Sequence, residues 1–166
     1  MELKLKNNKG LVEYCLGQLG RPYWYGTFGQ KGSPWLYQYN KGRFPRYYTA
    51  SDFPKQYGLK VHDCVGLIKG YFWTENIDDT SPKYQSNGFP DVSADMLFNR
   101  CELKGYTMAS MPEKAGVAVF LKGHVGVYIG DGWVVEARGH AWGVVKTRLN
   151  ARPWTKWGFI PGLQYL

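Results

Sequence analysis

A cysteine at the start of a predicted helix is the residue best suited to covalent chemistry. Cys64 follows Asp63, an expected helix N-cap, and opens a helix predicted over residues 64–73. The free N–H groups and the dipole at a helix start stabilise a thiolate, lowering its pKa from about 8.5 to between roughly 3.5 and 7.5. The same N–H groups can form an oxyanion hole. Cys15 and Cys101 lie on apolar helix faces instead, so they are predicted to be core residues.

A nucleophilic thiol needs a base, and the sequence offers three histidines. His62 is only two residues from Cys64 in extended chain, so its ring is expected to point elsewhere. His124 begins a predicted strand, where alternation puts it on one face with Gly126 and Tyr128. Gly126 is expected to leave room for a neighbouring helix end. The pattern therefore predicts His124 as the base for Cys64.

The third member depends on the hairpin after His124, whose strands are separated by residues 130–132. A two-residue turn would pair position 127 with 136 and turn Glu136 away from His124. A three-residue loop would pair 126 with 136 and place Glu136 on the face of His124, where it could orient the imidazole. The sequence allows both registers. His140, just past the strand end, is the other candidate for orienting the base, or a substrate contact.

The elements that must position these residues read as helices followed by strands. Helices are predicted at 8–19, 64–73 and 92–101. Short strands rich in β-branched residues are predicted at 116–121, 124–129, 133–138, 142–147 and 157–160. This order predicts a single α+β domain over residues 1–166, with N-terminal helices packed on a C-terminal antiparallel sheet of about five strands.

An irregular, aromatic-rich insertion is predicted at residues 23–62. Neither helical nor strand periodicity persists there, and glycine and proline interrupt the segment. The insertion is either a binding loop or a set of aromatics that fasten the loop to the core. It contains twelve aromatic residues: Tyr23, Trp24, Tyr25, Phe28, Trp35, Tyr37, Tyr39, Phe44, Tyr47, Tyr48, Phe53 and Tyr57.

Composition narrows the partners without choosing one. The 166 residues carry a formal net charge of +8, which attracts polyanions or simply aids solubility. No nucleic-acid-binding motif is present, so no nucleic acid is expected as a partner. The sequence predicts no membrane span and no signal peptide. No HExxH or paired CxxC occurs, so no metal or cofactor is expected. The oligomeric state is not predicted.

Three segments resemble the motifs of the NlpC-type peptidoglycan cysteine peptidases. They are Pro-Tyr-Trp-Tyr-Gly at 22–26, His-Asp-Cys-Val-Gly-Leu at 62–67 and His-Val-Gly-Val-Tyr-Ile-Gly-Asp-Gly at 124–132. That family has a circularly permuted papain-like fold, in which a helical half carries the cysteine and an antiparallel sheet carries the histidine. Its pattern places a polar residue twelve positions after the histidine, and Glu136 stands there, which favours the three-residue loop.

The resemblance implies a cysteine endopeptidase that cuts wall stem peptides beside D-glutamate through a thioester. Cys64 would attack, with His124 as base and Glu136 as the third member. Tyr23 and Asp63 would contact the substrate, and Arg138 and His140 are predicted to join them. The implied partner is the peptidoglycan stem peptide. The expected place of action is the cell wall, with a phage or prophage origin as one expectation.

The sequence departs from the family pattern in three ways. Val65 replaces the usual serine, Glu136 replaces the usual histidine, and the stretch from Gly26 to Cys64 is longer than usual. A CHAP-like amidase or cross-bridge peptidase is therefore an alternative. A second alternative is a non-catalytic module that binds wall glycan or polyanions. The remaining alternatives are a papain-like acyltransferase and a metal hydrolase.

Overall fold

The computed structural model describes residues 5–166 as one α+β unit, with four α-helices and two antiparallel sheets in that part of the chain. The helices are α1 (Asn8–Gly17), α2 (Pro34–Arg43), α3 (Gly66–Trp73) and α4 (Ala94–Arg100). The strands are β1 (Phe28–Lys31), β2 (Lys60–His62), β3 (Lys104–Gly105), β4 (Ala118–Leu121), β5 (His124–Gly130), β6 (Trp133–Ala137), β7 (Val144–Arg148) and β8 (Lys156–Gly158). Short 3₁₀ turns occur at Pro45–Tyr47, Phe53–Gln56, Ser86–Gly88, Met108–Ser110 and Leu149–Ala151.

The larger sheet confirms the predicted fold class. Its six strands run in the order β3-β8-β4-β5-β6-β7, and every pair is antiparallel. The five predicted strands are all present, with ends shifted by up to two residues. The additional strand, Lys104–Gly105, has only two residues, too short to show a period-2 pattern in sequence.

Side-chain caps explain where the helices begin. Asn7 accepts a hydrogen bond from Gly10 N at α1, and Ser93 accepts one from Met96 N at α4. At α2, Ser33 accepts from Leu36 N, and a proline occupies the first helical position. Each predicted helix forms, but each is two or three residues shorter than predicted.

The prediction that residues 23–62 are irregular is wrong for much of that segment, because it contains α2 and a two-stranded sheet of β1 and β2. Helix α2 carries a glycine at position 42 and only one buried apolar side chain, Leu36, so its sequence shows little helical periodicity. Its stability comes from packing on a separate cluster of buried side chains: Trp24, Leu36, Tyr48, Phe53 and Val61.

The larger sheet separates two hydrophobic layers. Val125 and Val127 of β5 face the main core, which includes apolar side chains of α1, α3 and α4. On the opposite face, Tyr128 packs in a smaller cluster with Trp154 and Trp157. We call this smaller cluster the far-face cluster. Within residues 5–166, no helix has the length and apolar character needed to cross a membrane.

Candidate active site

Cys64 lies in the turn that leads into α3, two residues before the helix begins. Asp63 fixes this turn with both carboxylate oxygens: Oδ1 accepts from Gly66 N at 2.7 Å and Oδ2 accepts from Gly26 N at 2.9 Å. Gly66 itself packs against the chain, since a Cβ atom there would lie 1.9 Å from the Thr27 carbonyl oxygen. Asp63 is not at the N-cap position, which Val65 occupies, but its carboxylate joins the first residue of α3 to the Gly26 turn.

The Cys64 sulfur lies against the backbone on both sides of His124. Its S–H donates to the carbonyl oxygen of Gly123 over 4.0 Å, and the N–H of Val125 is also directed at the sulfur. The thiol makes no hydrogen bond to the His124 imidazole within the described part of the chain.

The pKa of the resting Cys64 thiol is higher than the sequence suggested. Burial, followed by the neighbouring Asp63 carboxylate, raises the pKa of Cys64 to about 12, although the N–H groups of Val125 and Val65 act in the opposite direction. The expectation of a thiolate stabilised by the helix start is therefore wrong for the resting site, because desolvation outweighs the N–H groups directed at the sulfur. Any attack by Cys64 requires a base to remove its proton.

The register of the β5–β6 hairpin places Glu136 on the same face as His124, but the turn that sets this register differs from both predicted loops. The turn has two residues, Asp131 and Gly132, with positive φ angles of 53° and 81°. A bulge at Ile129, between the paired positions 128 and 130, shifts the register. Val127 therefore pairs with Val135, and His124 Nε2 lies 2.8 Å from Glu136 Oε1.

Glu136 is fully buried and receives hydrogen bonds from three side chains. Thr147 Oγ1 donates to Oε2 at 2.7 Å, and Arg152 donates from Nη2 to Oε1 at 3.0 Å, in addition to the His124 contact. Burial raises the pKa of Glu136, but these hydrogen bonds together outweigh it and lower the pKa below the ordinary value. Glu136 is therefore an anion that fixes the imidazole through Nε2.

The other ring nitrogen of His124, Nδ1, has no hydrogen-bond partner among residues 5–166. With Nε2 directed at Glu136, Nδ1 is the atom available to accept a proton. The ring stacks on Trp154, with centroids 5.5 Å apart and planes 14° from parallel. Two neighbours of the His124–Glu136 pair, Trp154 and Arg152, were missed in the sequence because they lie on an irregular segment far along the chain, without periodicity or a motif.

The space over Gly126 has a different occupant from the one predicted. A Cβ atom at Gly126 would lie 2.8 Å from Val134 and 3.0 Å from Trp154, so the glycine makes room for the tryptophan rather than for a helix end. His124 accordingly belongs to the layer of the far-face cluster, whereas Val125 faces the helices. The Cys64 turn meets His124 at the start of β5 and not across the face of the sheet.

His62 lies in a buried polar contact apart from the Cys64 turn. His62 is completely buried, and its Nε2 lies 2.7 Å from the Tyr14 hydroxyl, so it points away from Cys64 as predicted. Burial, followed by the nearby Lys60 and Arg21 charges, lowers the pKa of His62 well below its usual value, which keeps the ring neutral.

A cleft of about 500 Å³ opens over Cys64. Tyr23 lines it, and its hydroxyl makes no hydrogen bond within the described residues. Burial, followed by the Asp63 charge, raises the pKa of Tyr23, so the phenol stays neutral and can donate a hydrogen bond. On another wall, Lys69 Nζ forms an ion pair with Asp91 at 2.6 Å. The cleft thus brings together the Cys64 thiol, a phenol donor and the Asp63 carboxylate.

Two of the predicted substrate contacts, Arg138 and His140, do not line this cleft. The Arg138 guanidinium lies 4.6 Å from the ring centroid of Trp142. His140 Nε2 lies 2.5 Å from Asp52, and the His140 ring stacks on Phe53 with centroids 4.1 Å apart. His140 therefore joins the insertion to the larger sheet, and it does not contact His124 or Glu136.

The fold and this site define a papain-like α+β protein with a cysteine in the turn before a helix and a histidine–glutamate pair on the antiparallel sheet. The model of the NlpC/P60 family matches residues 20–161. The chain belongs to the NlpC/P60 family. A search of curated proteins found no significant match.

Solved structures support the same fold. NlpC2 from Trichomonas vaginalis is 14% identical with a TM-score of 0.56, and the alignment covers 96% of this chain and 49% of that one. The peptidoglycan hydrolase RipB from Mycobacterium tuberculosis is 22% identical with a TM-score of 0.52, covering 96% and 68%. The NlpC/p60 domain of the peptidoglycan hydrolase SagA is 11% identical with a TM-score of 0.50, covering 93% and 99%. The chain spans about half the length of the Trichomonas protein it matches.

The raised pKa of Cys64 leads to a prediction about its reactivity. In a His124→Ala variant, alkylation of Cys64 by iodoacetamide should accelerate about tenfold per pH unit from pH 7 to 10, because only the thiolate reacts and its pKa is about 12. At pH 7 the unaltered protein should react faster, since the imidazole can take the proton. Asp63→Asn should also accelerate the reaction by removing a charge that raises the pKa. Mass spectrometry of the labelled peptides measures each rate.

The two buried cysteines provide an internal control for that experiment. Cys15 and Cys101 are 0% and 2% exposed, so neither should be labelled while the protein is folded. A rate for the His124→Ala variant that levels off below pH 9 would contradict the assigned pKa.

Proposed function

We propose that this protein is a cysteine endopeptidase of the bacterial cell wall that cuts peptidoglycan stem peptides next to D-glutamate. The observation that carries the proposal is the pair of His124 and the buried Glu136 at 2.8 Å, next to a cysteine whose sulfur lies against the backbone flanking that histidine. Membership of the NlpC/P60 family and the fold shared with the peptidoglycan hydrolases RipB and SagA support the choice of substrate.

In the proposed first half-reaction, the Cys64 sulfur attacks the amide carbonyl carbon while its proton passes to His124 Nδ1. Glu136 stabilises the imidazolium through Nε2, and Arg152 and Thr147 hold the carboxylate in place. The tetrahedral intermediate then loses the amine, which leaves with the proton from His124, and a thioester remains on Cys64.

The second half-reaction releases the peptide. Water attacks the thioester while His124 takes one of its protons, and the Cys64 thiol recovers that proton as the acid departs. The neutral phenol of Tyr23 is proposed to donate a hydrogen bond to the bound peptide, and Asp63 is proposed to contact the substrate's amine. Asp63 already accepts two backbone N–H groups, so such a contact would use its remaining lone pairs.

Arg138 and His140 take no part in this proposal as direct substrate contacts, because neither lines the cleft. His140 is proposed to hold the insertion in position through Asp52 and Phe53. The Asp52–His140 hydrogen bond, with the nearby His140 charge, lowers the pKa of Asp52, so any stabilisation from this exposed pair is lost as the pH falls through that lowered value.

The experiment that tests this function is a digest of purified peptidoglycan followed by mass spectrometry of the soluble fragments. New amines and stem fragments that end in D-glutamate are the expected products. Fragments in which the whole stem is separated from the sugar would instead identify an amidase, and opened cross-bridges would identify a cross-bridge peptidase. Walls that release no new amine or peptide would overturn all three assignments.

A further inference from the structure

The inserted helix α2 presents a row of planar side chains to solvent. Trp35, Tyr39 and Arg43 are spaced four residues apart and therefore share one face of the helix. The rings of Trp35 and Tyr39 stack with centroids 5.0 Å apart and planes 9° from parallel, and the Arg43 guanidinium lies 5.1 Å from the Tyr39 ring centroid. We call these three residues the α2 strip.

The packing of the insertion does not require the exposed part of the α2 strip. Trp35 is 70% exposed and Tyr39 is 48% exposed, whereas the insertion is held by the buried cluster around Trp24, Tyr48 and Phe53. Stacked rings of this size left in water expose apolar area that a ligand can cover.

The α2 strip leads directly to the candidate active site. Arg43 lines the cleft that contains Cys64, and its guanidinium also lies 4.8 Å from the ring of Phe44, another cleft residue. The helical rise of 1.5 Å per residue places Trp35 about 12 Å from Arg43 along the helix axis. A ligand that covers the strip would therefore extend from open solvent to the edge of the cleft.

The chemistry of the strip matches a carbohydrate chain. Sugar rings present C–H groups on their faces and hydroxyl and amide groups at their rims, so they stack on flat aromatic faces and hydrogen bond around them. Helix α2 contains no acidic residue, and Gln38, one position before Tyr39, adds a polar side chain. Arg43 makes no ion pair or hydrogen bond within the described residues, so its five N–H donors are available at the cleft edge.

We propose that the α2 strip binds the glycan strand of the wall polymer while the attached stem peptide occupies the cleft. This inference rests on the proposed function, because a stem peptide in the cleft remains joined to its sugar, which must then lie beside the cleft opening. The strip is an exposed aromatic surface that reaches that opening through Arg43.

The binding test uses the Cys64→Ala variant as the parent, so that no cleavage occurs. The probe is a soluble oligomer of N-acetylglucosamine, and calorimetry measures its affinity. Adding Trp35→Ala or Tyr39→Ala should each weaken binding about tenfold, which is about 1.4 kcal/mol. Tyr106→Ala is the matched control, because Tyr106 is 69% exposed but does not line the cleft, and it should bind like the parent.

A kinetic test separates the strip from the catalytic residues. In the active protein, the factor by which Trp35→Ala raises KM should be about ten times larger for intact wall than for a stem peptide that carries no sugar. The reason is that uniform binding energy is lost only on the glycan-linked substrate. An equal change on both substrates would overturn the proposal. The binding arm remains decisive even if the protein proves to cut no stem peptide.

Two further outcomes would also overturn the inference. One is a parent protein that does not bind the N-acetylglucosamine oligomer. The other is self-association that depends on concentration and disappears in Trp35→Ala without any change in sugar binding, since this would identify a second copy of the chain as the occupant of the strip. Size-exclusion chromatography with light scattering measures that association.

Discussion

Replacing Cys64 with alanine should reduce wall hydrolysis by about 10⁴- to 10⁶-fold, the range typical of losing a covalent nucleophile. Alanine keeps the turn before α3, since the hydrogen bonds of Asp63 to Gly26 and Gly66 do not involve the sulfur. Thermal unfolding should therefore show a folded protein with little activity. The measurement is amine release from purified peptidoglycan, followed over a long enough time to detect the residual rate.

The matched controls are the other two cysteines. Cys15→Ala and Cys101→Ala each remove a buried sulfur from the main core and should cost about 1–2 kcal/mol of stability without reducing the activity of the folded protein. If Cys64→Ala kept more than about a tenth of the activity, Cys64 would not be the nucleophile. The thioester mechanism would then be wrong, even if the walls were still digested.

The second large effect is expected for Glu136→Gln, which should lower kcat about 10³-fold and reduce stability by about 2–4 kcal/mol. His124, Thr147 and Arg152 all donate to the two carboxylate oxygens. Glutamine has a single oxygen, so its NH₂ group must face at least one of these donors. The imidazole then loses its orientation and its countercharge, and the partly buried Arg152 is left without an anion.

Thr147→Val is the graded control, because it removes one donor but leaves the carboxylate and both of its other partners. Its effect on kcat should be below about tenfold. A Glu136→Gln variant with a kcat close to that of the unaltered protein would show that Glu136 has only a structural role. A Thr147→Val variant as impaired as Glu136→Gln would show that the hydroxyl, and not the charge, supports the base.

The same pair makes a pH prediction whose sign follows from linkage. The pKa of Glu136 is lower in the folded protein than in the unfolded chain, so its stabilising contribution is present above the ordinary glutamate pKa. That contribution is lost as the pH falls through the lowered value. Stability measured by denaturant titration should therefore decline in acid more steeply for the unaltered protein than for Glu136→Gln.

Much of this protein was accessible from sequence because the signals were local. The pattern of helices followed by short strands predicted the α+β class, and the motifs around Cys64 and His124 predicted the family. The residue twelve positions after the histidine correctly pointed to Glu136 as its neighbour. Strand alternation depends on residues close together in the chain, so the face on which a side chain lies can be predicted from sequence.

The exact register of the β5–β6 hairpin could not be predicted from the sequence. Its two-residue turn alone would pair position 127 with 136, and the bulge at Ile129 changes this pairing to 127 with 135. Helix α2 was also hidden, because its stability comes from contacts with Trp24 and Phe53 rather than from its own periodicity. The predicted pKa of Cys64 was wrong for a related reason. Sequence reveals the helix start and the adjacent Asp63, but the desolvation of the thiol, the larger effect, exists only once the chain is packed.

The sequence by itself determined which residues have reactive side chains, their order along the chain and the type of the elements that carry them. Only the tertiary structure decided which groups support them: Arg152 and Thr147 on the carboxylate, Trp154 on the imidazole, and an inserted helix at the edge of the cleft. The physical reason is that burial, stacking and hydrogen bonding between distant segments depend on how the whole chain packs. No local pattern encodes those distances.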